Sequence, residues 1–278
     1  MHVTETIAEI GVIGGSGLYA LLDGATEHVV DTPFGAPSDP VTVAQVAGRR
    51  VAFLPRHGQD HRHPPHRIPY RANIWALRAL GVRQVLAPCA VGGLRPELGA
   101  GTFAVPDQLV DRTNGREQTF FDSGAVHVSF ADPYCPTGRE AVLTSAKSLG
   151  IDAVDGGTMV VVEGPRFSTR AESRWFADGL GATLVNMTGH PEAVLARELA
   201  LCYTAVALVT DLDAGVESGH SVTQEEVFRV FGENIARMRD LLLATVERLP
   251  TDRGCRCGGA LEGIALPFDI PGGDEQRG

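Results

Sequence analysis

Basic residues are in deficit in this chain, where 24 Lys and Arg face 34 Asp and Glu for a formal net charge of -10. Binding along a nucleic-acid backbone relies on a broad positive surface, so that class of partner is excluded and any anion must be held in a local pocket. Long apolar runs are missing too. No stretch reaches membrane-spanning length, and MHVTETIAEIG lacks the charged and apolar regions of a secretory leader, which makes the cytoplasm the expected location. Cysteine is scarce, at five in 278 residues. Cys89, Cys135 and Cys202 stand singly in apolar or mixed segments and are expected to be reduced. Cys255 and Cys257 form a C-x-C that reads as a labile disulfide or as two thiols. With no second Cys pair and no nearby His, the spacing argues against a structural zinc site.

What is there suits a folded α/β protein. At 44% hydrophobic and 21% charged residues, the chain can bury a large core, and nothing in it reads as a long linker. Short apolar runs predict strands at 10–14, 28–31, 41–46, 50–54, 83–88, 101–105, 126–129, 158–163, 183–186 and 204–210. Longer periodic stretches predict helices at 71–80, 137–149, 169–179, 190–200 and 223–248, the last with Val227, Val230, Phe231, Ile235, Met238, Leu241, Leu242 and Val246 at helical spacing. This alternation implies a single domain over 1–266, built as a central mixed β-sheet surrounded by helices. Residues 267–278, PFDIPGGDEQRG, read as a flexible C-terminal tail.

Several strand ends carry chemistry. The stretch PRHGQDHRHPPHRIPYRANIWAL at 55–77 crowds arginines and four histidines, His57, His61, His63 and His66, into a segment broken by Pro64, Pro65 and Pro69. Those prolines remove donors and bias their predecessors towards extended backbone, so the stretch is a loop that presents side chains. The histidines read as loop residues rather than metal ligands, and no metal is expected. EIGVIGGSGLY runs a β-branched segment into Gly14, Gly15, Ser16 and Gly17, a turn whose N–H groups and hydroxyl suit a phosphate. It equally reads as a tight turn needing positive φ. Leu18 and Tyr19 stand where a Walker loop needs Lys and Ser or Thr, and the short helix-like stretch that follows leaves a dinucleotide fold as a minor alternative. CAVGGL at 89–94, VVVEGPRFSTRAES at 160–173 and LVNMTGHPEAVLARE at 184–198 each leave a strand through polar or Gly-containing turns. TAVALVTDLDAG sets Asp211 and Asp213 at the end of an apolar strand, where carboxylates serve as proton donors or acceptors, metal ligands, ring-nitrogen partners or turn caps.

The order GGSG, PRHG, HRIPYRANIWAL, GTMVVVEGPRFSTRAES, NMTGHPE and TDLD resembles the trimeric nucleoside phosphorylase family, from about residue 10 to about residue 245. The resemblance implies phosphorolysis. Phosphate attacks the anomeric carbon of a purine nucleoside, and no cofactor is required beyond that co-substrate. It implies a phosphate pocket of Ser16, Arg56, His57, Cys89, the Ala90 N–H and Thr188, with Cys89 a weaker donor than the Thr or Asn usual there. It further implies Met187 against the ribose, Phe167 on the purine or sugar, and Asn186, Ser168, Asp211 and Asp213 reading the base. The catalytic candidates are Asp211, Ser16 and His57. An Asp at 211 accepts from a 6-amino group and, protonated, donates to N7, so adenine is the expected base. The implied substrate is S-methyl-5'-thioadenosine, with inosine, guanosine or 5'-methylthioinosine as the alternative. Gln224 and Val227 fall near the 5' pocket, where an unpaired amide beside a thioether costs free energy. His127 matches a residue that reaches a neighbouring subunit's sugar site, so a homotrimer is expected.

Overall fold

The computed structural model describes residues 6–15, 24–216 and 221–272. Eleven strands form one mixed sheet whose backbone runs β2–β3–β4–β1–β5–β10–β9–β7. These are β1 (Ile10–Gly14), β2 (Thr26–His28), β3 (Val41–Val46), β4 (Arg49–Pro55), β5 (Gln84–Gly93), β6 (Phe103–Val105), β7 (Gln108–Arg112), β8 (Ala153–Asp155), β9 (Thr158–Val162), β10 (Leu184–Asn186) and β11 (Cys202–Leu212). The sheet branches at β5, which also pairs with β11, and β11 leads on through β6 to β8. β1, β4, β5 and β11 are mutually parallel where they pair. β1 is buried throughout, and β11 is buried along nearly its whole length. That is why these segments read as continuous apolar runs rather than alternating ones.

Five α-helices cover the sheet among the described residues: α1 (Tyr70–Ala79), α2 (Pro136–Ser148), α3 (Arg170–Arg174), α4 (Gly189–Glu198) and α5 (Gln224–Arg248). On one face, Ile74 and Leu77 of α1 pack with Ala193 and Leu195 of α4; on the other, Val142 of α2 packs with Met238, Leu241, Leu242 and Val246 of α5. Each of these large side chains stabilises the fold by about 1.5–3 kcal/mol on leaving water. Local chemistry sets the helix starts. Pro136 opens α2, and Thr169 with Glu172 closes a capping box on α3. None of the described helices is long and apolar enough to cross a membrane.

The structure departs from the sequence expectations in several places. Residues 126–129 are irregular rather than a strand, and β2 occupies 26–28 instead of 28–31. β7 and β8 arise where the sequence offers only weak signals, because each is held by a parallel neighbour, β9 and β6 respectively. The expected helix at 169–179 breaks after Arg174 into one wide π turn over Trp175–Gly179. Finally, the first part of the expected tail is packed. Phe268 lies 5.8 Å from Trp75 and 5.3 Å from Phe121 by ring centroids, and Arg78 Nη1 donates to the Gly272 carbonyl at 3.1 Å. Residues 273–278 lie outside the described residues.

Candidate active site

The site begins with a gap in the sheet. β11 follows β5 along its full length on one side, while on the other β1 pairs with residues 84–86 and β10 with residues 92–93. Among the described residues, 87–91 are therefore left without a strand partner on that side, in the crevice where an α/β sheet collects ligands. The Ala90 carbonyl points into the gap, where it accepts from Asn186 Nδ2 at 3.0 Å. In an extended strand a residue's N–H and C=O point the same way, so the Ala90 N–H faces the gap as well. An oriented backbone donor now stands in the middle of a buried strand.

Arg56, immediately after β4, enters the gap from the other side and is 3% exposed. Its Nε and Nη2 bind the Glu192 carboxylate at 2.7 and 2.9 Å, Nη2 also donates to the Ile13 carbonyl at 2.7 Å, and Nη1 donates to the Pro88 carbonyl at 3.1 Å. A guanidinium has five N–H groups. These four bonds leave one Nη1 N–H for an anion among the described residues. Burial works against the charge, and Glu192 outweighs it, so Arg56 stays protonated beyond its ordinary range. Tyr203 Oη donates to the same Glu192 at 2.7 Å. Arg56 thus brings a fixed donor to the pocket, while its charge is largely balanced by Glu192.

His57 follows. Its Nδ1 lies 2.9 Å from the His63 carbonyl, which can only accept, so Nδ1 carries the proton and Nε2 presents a lone pair. Burial pushes the imidazole down to about 4, with the Arg56 charge adding to the effect and the His63 carbonyl opposing it. A neutral His57 therefore suits the hydroxyl of a monohydrogen phosphate or of a sugar. The His57 and His61 rings stack 5.4 Å apart, despite the prolines that argue against a shared helix face. Burial raises the Cys89 thiol to about 12, so it is a neutral group beside Arg56. Ser16 lies outside the described residues.

β10 ends against this pocket. Asn186 Oδ1 accepts from the backbone N–H groups of Thr188 and Gly189, both at 2.7 Å, while its Nδ2 holds Ala90. Its Oδ1 and one Nδ2 N–H are thereby engaged with the main chain, so Asn186 positions Thr188 and braces β5. Thr188 is buried, with its hydroxyl 3.4 Å from Asn186 Oδ1. Met187 lies against Gly164, where a β-carbon would meet the Met187 sulfur at 2.7 Å, so no other residue fits at 164 without displacing it. Arg116 donates to the Met187 carbonyl at 3.0 Å and pairs with Glu163 at 3.0 Å, tying the 163–167 loop to the β10 turn.

Two residues further along β5, the register changes. A bulge between Val209 and Asp211 sets Asp211 opposite Gly92. Bulges re-aim side chains, and this one directs a carboxylate over a glycine. A β-carbon on Gly92 would stand 2.9 Å from Val185, 3.2 Å from Asp211 Oδ1 and 3.4 Å from the Asp213 β-carbon. Burial raises Asp211 to about 6, Thr210 opposes the rise through a 2.8 Å bond, and Asp213 and Glu226 add to it. Burial also raises Asp213, opposed by the Ser173 and Ser168 hydroxyls beside it. Asp213 Oδ2 is buried without a hydrogen-bond partner among the described residues. Ala90 and Gly92 lie roughly 7 Å apart along the strand. That leaves room for a sugar between an anion at one and a base at the other.

The chain matches the Phosphorylase superfamily over residues 9–247. It is 62% identical over 275 residues to a purine nucleoside phosphorylase of Streptomyces coelicolor, spanning 94% of this chain and 98% of that relative. It is 58% identical over 264 residues to an S-methyl-5'-thioadenosine phosphorylase of Mycolicibacterium smegmatis, spanning 94% and 99%. The fold superposes on a methylthioadenosine phosphorylase from an antarctic soil metagenomic library with a TM-score of 0.87 at 38% identity, covering 93% of this chain and 92% of that one. The chain belongs to the phosphorylase superfamily.

Within this superfamily member, the residues named from sequence fall into three groups. Arg56, His57, Cys89, Ala90 and Thr188 gather at the β5 gap, and Ser168, Asp211 and Asp213 gather at the bulge. Phe167 and Met187 are half-buried, Phe167 in the loop after β9 and Met187 directly after β10. Gln224 and His127 stand apart. Gln224 is exposed at the first position of α5 with Val227 half-buried one turn on, and His127 is exposed on the irregular segment after β7. Sequence reasoning missed Glu192, Tyr203, Arg116 and Glu226. Glu192 had a signal, the Glu closing NMTGHPE at a helix start; Arg116, in a loop without pattern, had none. Among the described residues, the one group of three or more His, Cys, Asp or Glu side chains placed to hold a metal lies elsewhere, at Cys135, Cys202, Cys255 and Cys257. The fold supplies the second cysteine pair that the sequence reading found lacking.

Proposed function

We propose that the chain catalyses the phosphorolysis of S-methyl-5'-thioadenosine to adenine and 5-methylthioribose 1-phosphate, as a pentosyltransferase in methionine and purine salvage. The observation that carries this reading is Asp211, a buried carboxyl raised to about 6 at a strand end, with Gly92 beneath it in place of a side chain. In its protonated form it donates to purine N7 and accepts from the 6-amino group through its other oxygen. A phosphate oxygen attacks C1', the C1'–N9 bond breaks, and its electron pair moves onto the purine as N7 takes the Asp211 proton. The Ala90 N–H, the Arg56 Nη1 N–H, the Thr188 hydroxyl and Ser16 hold the phosphate, and His57 Nε2 accepts from its hydroxyl. Met187 and Phe167 offer apolar surface to the ribose and purine. His127 would complete a neighbouring subunit's sugar site in a cytoplasmic homotrimer.

Support comes from relatives named for this substrate and from a 36% identical methylthioadenosine phosphorylase of Schistosoma mansoni whose structure, in complex with adenine, superposes with a TM-score of 0.81. Incubating a panel of nucleosides differing at the 6 and 5' positions, with and without phosphate, is expected to release adenine from the methylthio substrate only when phosphate is present. Release in phosphate-free buffer would make the enzyme a hydrolase. A 6-oxopurine preference is the second reading, favoured by the purine nucleoside phosphorylase at 62% identity.

A pH profile tests the proton itself. Asp211 acts as a donor only below its raised value, so kcat/KM for the 6-amino substrate is expected to fall as pH rises through about 6. Measured at saturating phosphate, this limb should vanish in Asp211→Asn; a limb that persists there belongs to another group.

A further inference from the structure

Far from the active site, four cysteines from three parts of the chain converge. Cys135 caps the N-terminus of α2, Cys202 is the first residue of β11, and Cys255 and Cys257 flank the entry to a short 3-10 turn at Arg256–Gly259. Their sulfurs all lie within 4.8 Å of one another, with Cys255 Sγ 3.7 Å from Cys135 Sγ and 3.4 Å from Cys202 Sγ. Cys135 is 1% exposed, and Cys202 and Cys257 are each 3% exposed. A disulfide needs sulfurs about 2.05 Å apart, and all four thiols are free. A tetrahedron of thiolates at about 2.3 Å from a zinc ion has edges of about 3.8 Å, close to the separations seen.

The surroundings suit a negatively charged metal–thiolate centre. The Gly138 N–H, in the first turn of α2, donates to Cys135 Sγ at 3.4 Å, so both an amide and the positive end of a 13-residue helix face the sulfur. The Arg197 charge lies within electrostatic reach of Cys257. The backbone around the C-x-C is braced before any ion arrives, since Arg253 Nη1 donates to the Ala200 carbonyl at 3.0 Å and the Arg253 carbonyl accepts from Thr137 at 3.4 Å. We propose that Cys135, Cys202, Cys255 and Cys257 form a structural tetrathiolate site for one zinc ion per chain, which pins the segment after α5 to the amino ends of β11 and α2. Four protein sulfurs leave no open coordination position, so the ion has no catalytic role. It also sits at the opposite end of β11 from Asp211, nine residues and roughly 30 Å of strand away.

The test uses the full chain purified under reducing conditions without added metal. Elemental analysis is expected to find close to one zinc per chain, falling at least tenfold in the Cys255→Ser/Cys257→Ser double variant. Because that variant could fail to fold, the unaltered protein is also stripped of metal and titrated with cobalt(II). One equivalent should bring up the intense visible bands of a tetrahedral cobalt thiolate, and added zinc should bleach them. Chelation should lower the melting temperature while kcat at 25 °C stays within twofold. The proposal is overturned if the reduced protein carries less than a tenth of an equivalent of zinc and gives no cobalt–thiolate absorption. It is equally overturned if freshly prepared protein, never exposed to oxidant, titrates with one free thiol and two disulfides.

Discussion

Replacing Glu192 by alanine is expected to destabilise the protein by about 3–5 kcal/mol, because the change strands the Arg56 guanidinium, 3% exposed, without its counter-ion. Tyr203 loses its acceptor in the same step. For a chain of this size the loss corresponds to a fall in melting temperature of roughly 10 °C. Activity should drop as well, since Glu192 fixes which N–H of Arg56 remains for an anion. The double variant Arg56→Met/Glu192→Ala separates the two effects. Removing both members of a buried pair for an apolar side chain is often nearly neutral, so stability should recover to within about 1–2 kcal/mol while phosphorolysis stays lost. Thermal unfolding of the three proteins beside a phosphorolysis assay is the measurement. If Glu192→Ala melted within a degree or two of the parent, the pair would not be the keystone described above.

Asp211→Asn is expected to have the largest effect on chemistry, lowering kcat/KM for the 6-amino nucleoside by about 10²–10⁴ through loss of a general acid. Turnover of the 6-oxo analogue should fall less or rise, because an amide can donate to a 6-oxo group. The sign for stability is opposite. A carboxyl near 3.8 in the unfolded chain and raised to about 6 in the folded one makes its contribution at low pH and loses it as pH climbs through that interval. At pH 8 the native protein therefore carries an ionised, buried Asp211 at a penalty of roughly 2–3 kcal/mol. The asparagine variant should melt higher there and show no such gain at pH 4. Equal loss on both nucleosides, with no stability change at pH 8, would remove Asp211 from its assigned role.

Much of this architecture could be read directly from the residues. Continuous apolar runs announced β1, β5 and β11, and the spacing from Val230 to Val246 announced α5, because burial on two faces or on one stripe leaves its own periodicity. What escaped was set by partners distant in sequence. β7 and β8 exist because β9 and β6 stand ready beside them, and residues 126–129, strand-like by composition, have no such neighbour. The same distinction divides the site. Arg56 and Thr188 follow strand ends and Asp211 stands one residue short of one, where local pattern points to them. By contrast, the engagement of the Asn186 amide with Ala90, and the grip of Arg116 on Met187, depend on loops meeting in space. The cysteines are the sharpest case, since 53 residues separate Cys202 from its contact with Cys255.

The break in pairing along β5 divides evolutionary freedom between the two halves of the pocket. On the proposed reading, its anion half joins a main-chain N–H of β5 to an arginine whose geometry is dictated by a buried partner, so both are set by the fold. The nucleoside half is made of side chains at strand tips, where one exchange alters what is recognised without disturbing the sheet. Exchanges at these strand tips would therefore shift purine and 5' preference while leaving the gap along β5 as it is.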